Sequence, residues 1–367
     1  MSKANNIALV LIVVFLCTSP VMAQTSVDYL IVTPEYFVPY LKPLVELKVL
    51  QGYSVGIISL SGREFTAEEI REMILEASPK YVQLIGDVDN GDLTMPAFKG
   101  TAYGRVTDLY YGVVDDGYIQ TIPVGRLPAR SSGDLSRMIF NLKYNRYPAD
   151  TMFFVLQDWE EYYHNNVFPE YREILGEGFT SIYRDCLLAV ELAKEPYESL
   201  VIMAHGVAAS SGGCLSRTVV ESINIESFVF SVGCYTGDFS YPVSYSELLM
   251  TRGATGVIAS SYLNYIPFHD WFLQSFMREH FASPDATIGE LMNFAKDAFH
   301  SRLYGINSES WYAEVCATAY EPQSDIHELW IDESYNLLGD PSMRFGEFID
   351  FPLYNTYLPM VQSGGDE

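Results

Sequence analysis

Basic residues are scarce in this chain. Its 367 residues include 22 Lys and Arg against 47 Asp and Glu, which gives a formal net charge of −25 at pH 7. Binding to nucleic acid needs a basic footprint for the phosphates, and anionic membrane surfaces attract basic segments. We therefore expect no nucleic-acid partner and no attachment to an anionic membrane. The acidic surplus favours solubility, and it would also suit a cationic substrate.

Several catalytic and metal-binding patterns are missing as well. The six His and five Cys form neither a Cys-x-x-Cys nor a His-x-x-x-His pair, so no zinc site is predicted. His-Glu-x-x-His and Gly-x-Ser-x-Gly are absent, which disfavours a zinc peptidase and an α/β serine hydrolase. The cysteines are too few for a disulfide scaffold. Two of Cys186, Cys214 and Cys316 can still pair in an oxidising compartment, and the sequence leaves open which two.

Long apolar runs are confined to the amino terminus. Ile7 to Leu16 is an unbroken apolar run, preceded by Lys3 and followed by Val21-Met22-Ala23. This pattern is typical of a cleaved secretory signal peptide, here residues 1–23. The run is too short to span a bilayer. We therefore expect no stable membrane insertion after cleavage, and a protein that is secreted, periplasmic or on the cell surface.

What the sequence does contain is an alternation of strands and helices. Tyr29–Val32, Tyr53–Ser59 and Tyr81–Ile85 are predicted strands, and the capping box of Thr66 and Glu69 opens a helix between the last two. This order predicts a parallel sheet with right-handed crossovers. We expect an N-terminal α/β subdomain over residues 24–149, a second α/β subdomain over 150–346, and an irregular tail over 347–367.

Two short apolar runs in the second half end alike. Leu200–Ala204 stops at His205-Gly206, and Phe228–Val232 stops at Gly233-Cys234. Each run is predicted to be a buried strand, and open α/β sheets place their sites at the carboxyl ends of strands. A thiol and an imidazole presented in this way are the parts of a Cys–His nucleophilic pair.

Each motif alone also has a plain structural explanation. Cysteine is often buried for packing, and His-Gly occurs at strand-to-turn junctions. Catalysis needs both partners whereas packing needs neither, so their joint occurrence favours Cys234 as nucleophile and His205 as its base. The backbone N–H groups of Gly206 and Cys234 are candidates for an oxyanion hole, because neighbouring glycines permit close approach of a carbonyl. The other five histidines are expected at the surface or in supporting positions.

An acidic loop follows the predicted strand Tyr81–Ile85. Asp87, Asp89 and Asp92 offer the alternating oxygen ligands that calcium prefers, although the loop lacks the glycine and the distal glutamate of an EF-hand. The alternative is an ordinary solvated turn. A Cys–His mechanism requires no cofactor, so calcium is expected at most as a structural ion.

Beyond these motifs, the sequence resembles the gingipain family of caspase-like cysteine peptidases from about Tyr29 to Phe345. The His-Gly and Gly-Cys blocks are shared with other caspase-like peptidases. The segments that narrow the resemblance to gingipains are Gly125-Arg126-Leu127-Pro128, Ser231-Val232-Gly233-Cys234-Tyr235-Thr236-Gly237-Asp238-Phe239 and Leu338-Gly339-Asp340-Pro341-Ser342, and Arg252 to Ser260 also fits.

The resemblance implies a fold, a reaction and site residues. The expected fold is caspase-like, a mainly parallel sheet flanked by helices in two side-by-side α/β subdomains, with the site in the second. The implied activity is hydrolysis of a protein or peptide substrate through a thiol acyl-enzyme. Cys234 is then the nucleophile and His205 the general base and acid. The acid that orients the imidazole matches Asp158, with Glu160 as the close alternative.

Substrate preference is less defined by the sequence. The resemblance implies cleavage after basic residues, and Asp238 is a candidate for the carboxylate that would bind such a side chain. Asp238 is equally well explained as a solvated turn residue or a helix cap. The alternative for the whole protein is a catalytically silent binding or scaffold protein with this fold, since folds outlast their chemistry.

Overall fold

The computed structural model describes residues 27–100, 104–115, 119–144, 151–156, 164–165, 168–263, 266–305 and 333–345. Its strands are β1 (Tyr29–Pro34), β2 (Val55–Leu60), β3 (Tyr81–Ile85), β4 (Phe98–Lys99), β5 (Val106–Thr107), β6 (Val124–Leu127), β7 (Met152–Leu156), β8 (Phe179–Tyr183), β9 (Ser199–Met203), β10 (Gly206–Val207), β11 (Ser210–Ser211), β12 (Phe228–Val232), β13 (Gly256–Ser260) and β14 (Tyr335–Gly339). Its α-helices are α1 (Lys42–Leu50), α2 (Ala67–Ala77), α3 (Ser132–Tyr144), α4 (Phe168–Leu175), α5 (Cys186–Leu192), α6 (Arg217–Val220), α7 (Tyr245–Thr251), α8 (Ile266–Ala282) and α9 (Ile288–Gly305).

Ten of the strands form one sheet in the order β2-β1-β3-β6-β14-β13-β12-β9-β7-β8. Strands β2, β1, β3 and β6 pair in parallel, and so do β13, β12, β9, β7 and β8. Strand β14 lies between these two groups, antiparallel to β13 and meeting β6 where Leu338 faces Arg126. The predicted fold class, a mainly parallel sheet flanked by helices, is confirmed.

Alternate residues of each strand are buried on opposite faces of the sheet. One core cluster runs along one face through both groups of strands, from Tyr29 to Val257. The other face carries two separate clusters, one built on β1 and β3 with α2, and one built on β9 and β12 with α8 and α9. Because side chains are buried on both faces of the sheet, these strands are continuous apolar runs in the sequence.

Most predicted elements of the first half agree with the structure to within a few residues. The capping box of Thr66 and Glu69 is present at the start of α2. Pro43 lies in the first turn of α1, where no intrahelical N–H bond is needed, and a 3₁₀ helix over Glu35–Tyr40 precedes it. The strands β8 and β14 and the β10–β11 hairpin were not predicted. The segment Trp311–Tyr320, whose alternating pattern predicts a strand, lies outside the described residues.

A buried ionic network explains the Leu-Gly-Asp-Pro-Ser motif. Lys48 is fully buried and ion-pairs with Asp340. Its ammonium also donates to Gln51 Oε1 at 2.7 Å and to Ser342 Oγ at 2.9 Å, so all three N–H donors are used. The Tyr29 hydroxyl lies 3.1 Å from Asp340 Oδ1. The turn after β14 is thereby tied to the start of β1 and to α1.

No helix in the described part of the chain is both long enough and apolar enough to cross a membrane.

Candidate active site

The two motif strands are neighbours in the sheet, as the sequence predicts. Strands β9 and β12 pair in parallel with Met203 opposite Val232. His205 and Cys234 each follow two residues later, so both leave the sheet at the same edge, from strands about 4.8 Å apart. His205 is exposed and Cys234 is half-buried. The register therefore brings the predicted base and nucleophile to one place.

Two glycines let these strand ends come together. A Cβ atom on Gly206 would lie 2.5 Å from the Cys234 carbonyl oxygen and 2.6 Å from Thr236 Cγ2. A Cβ atom on Gly233 would lie 2.8 Å from the Ala204 carbonyl oxygen. Real side chains never approach so closely, so glycine is required at both positions. The His-Gly and Gly-Cys patterns thus follow from the close packing of two backbones.

A small hairpin carries the histidine segment. Strands β10 and β11 are antiparallel, with Gly206 opposite Ser211, and the Gly212 N–H donates to the His205 carbonyl at 2.6 Å. Opposite residues in such a pair alternate between hydrogen-bonded and non-hydrogen-bonded positions. Gly206 therefore occupies a non-hydrogen-bonded position, with its N–H directed away from the hairpin partner. This orientation suits a donor to a substrate carbonyl.

A disulfide fixes the segment that follows this hairpin. Cys214 bonds to Cys186 at the start of α5, and Cys214 is buried while Cys186 is exposed. Only one residue separates Cys214 from Gly212, whose N–H donates to the His205 carbonyl. Cys234 takes part in no disulfide, and Cys316 lies outside the described residues. The pairing that the sequence left open is therefore Cys186 with Cys214.

The residue after the nucleophile has a strained backbone. Tyr235 adopts a left-handed conformation with φ of +61°, which costs a non-glycine residue about 1–3 kcal/mol. Its N–H donates to the Tyr262 carbonyl at 3.0 Å, and its own carbonyl accepts from the Asp238 N–H at 2.9 Å. The Tyr235 and Tyr262 rings meet edge to face at 5.5 Å. These contacts hold a sharp turn that presents Cys234 at the end of β12.

Thr236 packs between the His205-Gly206 segment and the Gly233-Cys234 segment. Its buried hydroxyl lies 3.1 Å from the Gly233 carbonyl oxygen, and its methyl group fills the space beside Gly206. The first turn of α7 adds two backbone bonds, from the Ser246 N–H to the Thr236 carbonyl at 3.0 Å and from the Tyr245 N–H to the Ala208 carbonyl at 2.8 Å. One helix end therefore supports both the cysteine and the histidine segments.

The first half of the chain reaches this site through Arg105, which precedes β5. The guanidinium of Arg105 bonds Asp238 Oδ2 at 3.1 Å and lies 5.3 Å from the ring centre of Tyr235. Asp238 is 3% exposed and also accepts from Ser240. Asp238 as a substrate-binding acid stays a prediction, and a substrate cation there would compete with Arg105. Sequence reasoning did not find Arg105, because no local pattern marks it.

A second arginine of the first half contacts the same loop. Arg126, from the Gly-Arg-Leu-Pro motif, is fully buried and binds both carboxylate oxygens of Asp108, at 2.8 and 2.7 Å. Its guanidinium carbon lies 5.1 Å from the centre of the Phe239 ring. It also donates to the carbonyls of Gly86, Met95 and Pro96. The motif therefore supplies a buried cation that supports the chain just after the nucleophile.

The acidic loop holds an arginine. Arg130 ion-pairs with both Asp87 and Asp89, and Asp92 is exposed. The loop also influences Glu247 in α7. Burial, and after it the negative charge of Asp87, raises the pKa of the Glu247 carboxyl well above its usual value. No group of three or more His, Cys, Asp or Glu side chains among the described residues is placed to hold a metal ion. The calcium prediction for Asp87, Asp89 and Asp92 gains no support here, since Arg130 already supplies a cation.

A buried phenol and a buried imidazole contact each other at the start of β14. Burial, followed by the charges of Asp270 and Cys234, raises the pKa of Tyr335 well above its usual value. The Tyr335 hydroxyl contacts His269 Nδ1, and burial lowers the pKa of His269 to about 3. His269 and His280 are each 5% exposed, so of the two expected placements, at the surface or in a supporting position, the surface one does not apply to them. Asp158 and Glu160 lie outside the described residues, so the third catalytic group stays a prediction.

Comparison with protein families identifies the class of this chain. The model of peptidase family C25 matches residues 22–170 and 203–346. That match covers most of the sequence, including His205 and Cys234. The chain belongs to peptidase family C25, the gingipain family of cysteine peptidases.

Individual relatives and solved structures agree with this assignment. Lys-gingipain of Porphyromonas gingivalis is 25% identical over 385 aligned residues, and Lys-gingipain HG66 of the same species is 24% identical. Each alignment covers 91% of this chain, which spans about a fifth, 21%, of the length of those relatives. The crystal structure of the Arg-specific cysteine proteinase gingipain R superposes with a TM-score of 0.70 at 16% identity, covering 89% of this chain and 80% of that one. The complex of the RgpB pro- and mature domains from P. gingivalis gives 0.68 at 15% identity, covering 87% of this chain and 79% of that one.

Proposed function

We propose that this protein is an exported cysteine endopeptidase that hydrolyses peptide bonds through a thiol acyl-enzyme. The observation that carries the proposal is the register of β9 and β12, which brings His205, Gly206 and Cys234 to one edge of the sheet in a chain of peptidase family C25. A side chain that takes a proton and one that forms a covalent bond are the two requirements of this mechanism.

In the first half-reaction, His205 takes the thiol proton of Cys234, and the sulfur attacks the carbonyl carbon of the scissile bond. The carbonyl π electrons move to oxygen, where the N–H groups of Gly206 and Cys234 stabilise the negative charge. The C–N bond then breaks, and protonated His205 gives its proton to the departing amine. Asp158 is proposed to orient the imidazole, with Glu160 as the alternative.

In the second half-reaction, water replaces the amine product. His205 removes a proton from water, and the resulting hydroxide attacks the thioester carbon. Collapse of the tetrahedral intermediate breaks the C–S bond, and the proton on His205 returns to sulfur. No metal or organic cofactor takes part in this proposed sequence.

Export is proposed on two grounds. Residues 1–23 have the pattern of a secretory signal, and the Cys186–Cys214 disulfide is typical of proteins that fold in an oxidising compartment. Fractionation of the native host tests this point. Recovery of the protein in the cytoplasm with its signal segment intact would contradict it.

A preference for cleavage after basic residues is proposed from the names of the relatives, Lys-gingipain and an Arg-specific gingipain. Asp238 is the candidate acid, and its carboxylate already bonds Arg105. A basic substrate side chain would therefore bind Asp238 only by displacing or sharing with Arg105. Profiling with peptides that differ only in Arg, Lys, Leu or Asp before the scissile bond measures the preference.

The direct test is labelling of the purified protein with peptidyl chloromethyl ketones that carry Arg, Lys, Leu or Asp next to the reactive group. We expect modification at Cys234, located by mass spectrometry, and parallel hydrolysis of the matching peptides. Iodoacetamide serves as the control for an accessible thiol. Alkylation of Cys234 by iodoacetamide without peptide-directed labelling or hydrolysis would favour the catalytically silent alternative.

A further inference from the structure

Arg105 contacts the nucleophile loop, defined here as Cys234 to Ser240, from the other half of the chain. It follows the short β4 strand and precedes β5, and its carbonyl accepts from the Gly100 N–H at 2.7 Å. Its guanidinium makes an ion pair with Asp238 and lies over the ring of Tyr235. The side chain is 45% exposed, whereas that of Asp238 is 5% exposed. Arg105 thus lies at the entrance of the site.

Both partners of Arg105 bear directly on the position of Cys234. Tyr235 is bonded to the nucleophile and holds a left-handed backbone that needs support from its surroundings. Asp238 closes the turn by donating its N–H to the Tyr235 carbonyl. A single guanidinium therefore holds the side chains of the two residues that shape this turn.

The charge of Arg105 matters as well as its shape. Asp238 places a nearly buried carboxylate four residues after a nucleophile that must itself become an anion. A buried carboxylate without a counter-charge disfavours a second negative charge nearby. Arg105 neutralises that carboxylate and leaves the loop electrically balanced.

We propose that Arg105 is a positioning residue for the nucleophile, acting on Cys234 through the ion pair with Asp238 and the contact with Tyr235. The inference rests on the proposed function for its effect on turnover. Its effect on thiol reactivity is independent of whether any peptide is hydrolysed. It also predicts that the two members of the ion pair have opposite electrostatic effects, which a merely structural ion pair would not produce.

The test compares Arg105→Gln, Asp238→Asn and the double variant in the full chain. The readouts are the rate of Cys234 alkylation by neutral iodoacetamide at pH 7, kcat and KM for a cleaved peptide, and the thermal midpoint. We expect Arg105→Gln to lower the alkylation rate and kcat about fivefold with little change in KM, which is the order of effect of one unit charge about 4 Å away at the dielectric constant of water. Asp238→Asn leaves Arg105 as an unbalanced cation, so alkylation is expected to be faster than in the wild type. The double variant is expected to be alkylated within about twofold of the wild-type rate, because both charges are gone.

Arg63→Gln is the matched control. Arg63 belongs to the same half of the chain, pairs with Glu69 at 2.9 Å and lies 4.2 Å from the Phe65 ring, yet it touches no part of the nucleophile loop. It should leave alkylation and kcat unchanged. Equal behaviour of Arg105→Gln and Arg63→Gln would overturn the proposal, and so would equal losses in both single variants of the pair.

Two further measurements keep the outcome decisive. Arg105→Lys retains the charge but not the planar group, so it should recover alkylation more fully than Arg105→Gln if the charge matters. If Arg105→Gln does not fold, Arg105→Lys is compared with Arg105→Ala instead. Alkylation of Arg105→Lys at the wild-type rate supports the role of charge, and a loss equal to that of Arg105→Ala refutes it. Alkylation that responds as expected in a protein that cleaves no peptide would overturn the proposed peptidase function and leave this inference standing.

Discussion

The two halves of the sheet share an architecture and differ in what their strand ends carry. In the first half, the residues after β3 and within β6 are charged but fully engaged, as in the pairs Arg126–Asp108 and Arg130–Asp87. In the second half, the ends of β9 and β12 carry His205, which is exposed, and Cys234, which is half-buried. The same arrangement of parallel strands therefore carries charged groups held in ion pairs on one side and the predicted catalytic residues on the other.

This difference indicates separate roles for the two halves. The first half supports the candidate site, since Arg105 and Arg126 contact residues 235–239 directly. Its charged groups are satisfied by each other and by carbonyls, so they are suited to holding a fixed geometry. The strained turn at Tyr235 persists because its surroundings hold it.

The largest expected effect on activity, and so the strongest test of this difference between the halves, is at Cys234. Cys234→Ala removes the sulfur that forms the acyl-enzyme, and we expect kcat to fall by about 10⁴-fold or more while the fold is retained. Hydrolysis of a peptide substrate and circular dichroism measure the two effects. Cys316→Ala is the control and should remain active. Turnover by Cys234→Ala at the wild-type rate would show that the second half does not use its strand ends for chemistry.

His205 is the next largest effect. Without the imidazole, the thiol proton and the departing amine have no positioned acid or base, and we expect His205→Ala to lower kcat by about 10³-fold. His164→Ala is a control, because His164 lies beside Arg172 and not at the ends of β9 and β12. A loss in KM alone would mean that His205 binds substrate without transferring protons.

Two buried ion pairs with a cation from the first half provide the next test of this comparison, Arg126–Asp108 within that half and Lys48–Asp340 between the halves. Arg126→Met leaves Asp108 without its cation, and Lys48→Met does the same to Asp340, so each is expected to lower the free energy of unfolding by about 3–5 kcal/mol. Denaturant unfolding measures both. At a temperature where both variants are folded, only Arg126→Met should also lower kcat. Arg126 lies over the ring of Phe239, whereas no hydrogen bond, ion pair or ring contact of Lys48 within the described part of the chain reaches the nucleophile loop. Equal kcat values in the two variants would remove the case for support of the loop by Arg126.

The smallest predicted effect concerns acid stability. Burial lowers the pKa of His269 from 6.5 to about 3, so the unfolded chain binds a proton at this residue where the folded chain does not. Its contribution to stability is present above pH 6.5 and is lost as pH falls toward 3, at no more than about 1.4 kcal/mol per pH unit. His269→Gln should flatten this part of the profile, measured by urea unfolding from pH 7 to pH 4. An unchanged slope would show that His269 is protonated in the folded protein.

The sequence predicted the strand ends because their signals are local. A short apolar run followed by His-Gly or Gly-Cys is visible in a window of seven residues, and the pairing of β9 with β12 followed from the expected sheet. Arg105, Thr236 and Tyr335 were missed for the opposite reason. Arg105 and Asp238 are separated by 133 positions in the chain, and nothing local marks either as a partner of the other.

Asp238 also shows that the sequence does not reveal partners that are distant in the chain. Its closeness to Cys234 in sequence predicted a possible pocket carboxylate, but sequence proximity carries no information about which cation it meets. The glycines were easier to interpret once the strands were paired, because Gly206 and Gly233 are explained by one close contact between backbones. The element predictions missed the five-residue strands β8 and β14, and also the two-residue strands β10 and β11, whose pairing depends on a hairpin of only a few residues.

The Cys186–Cys214 bond gives the proposed peptidase two opposite redox requirements. Its nucleophile must remain a reduced thiol, since oxidation to a sulfenic acid or a mixed disulfide, both of which thiols reverse, removes its reactivity. Gly212, whose N–H donates to the His205 carbonyl, lies next to the segment anchored by the Cys186–Cys214 disulfide. Cys186 is exposed to solvent. A thiol reductant that regenerates Cys234 therefore also attacks the anchor of its catalytic partner. We therefore expect turnover only over a limited range of reductant strength. The reductant must be strong enough to keep Cys234 a thiol and too weak to reduce the Cys186–Cys214 disulfide.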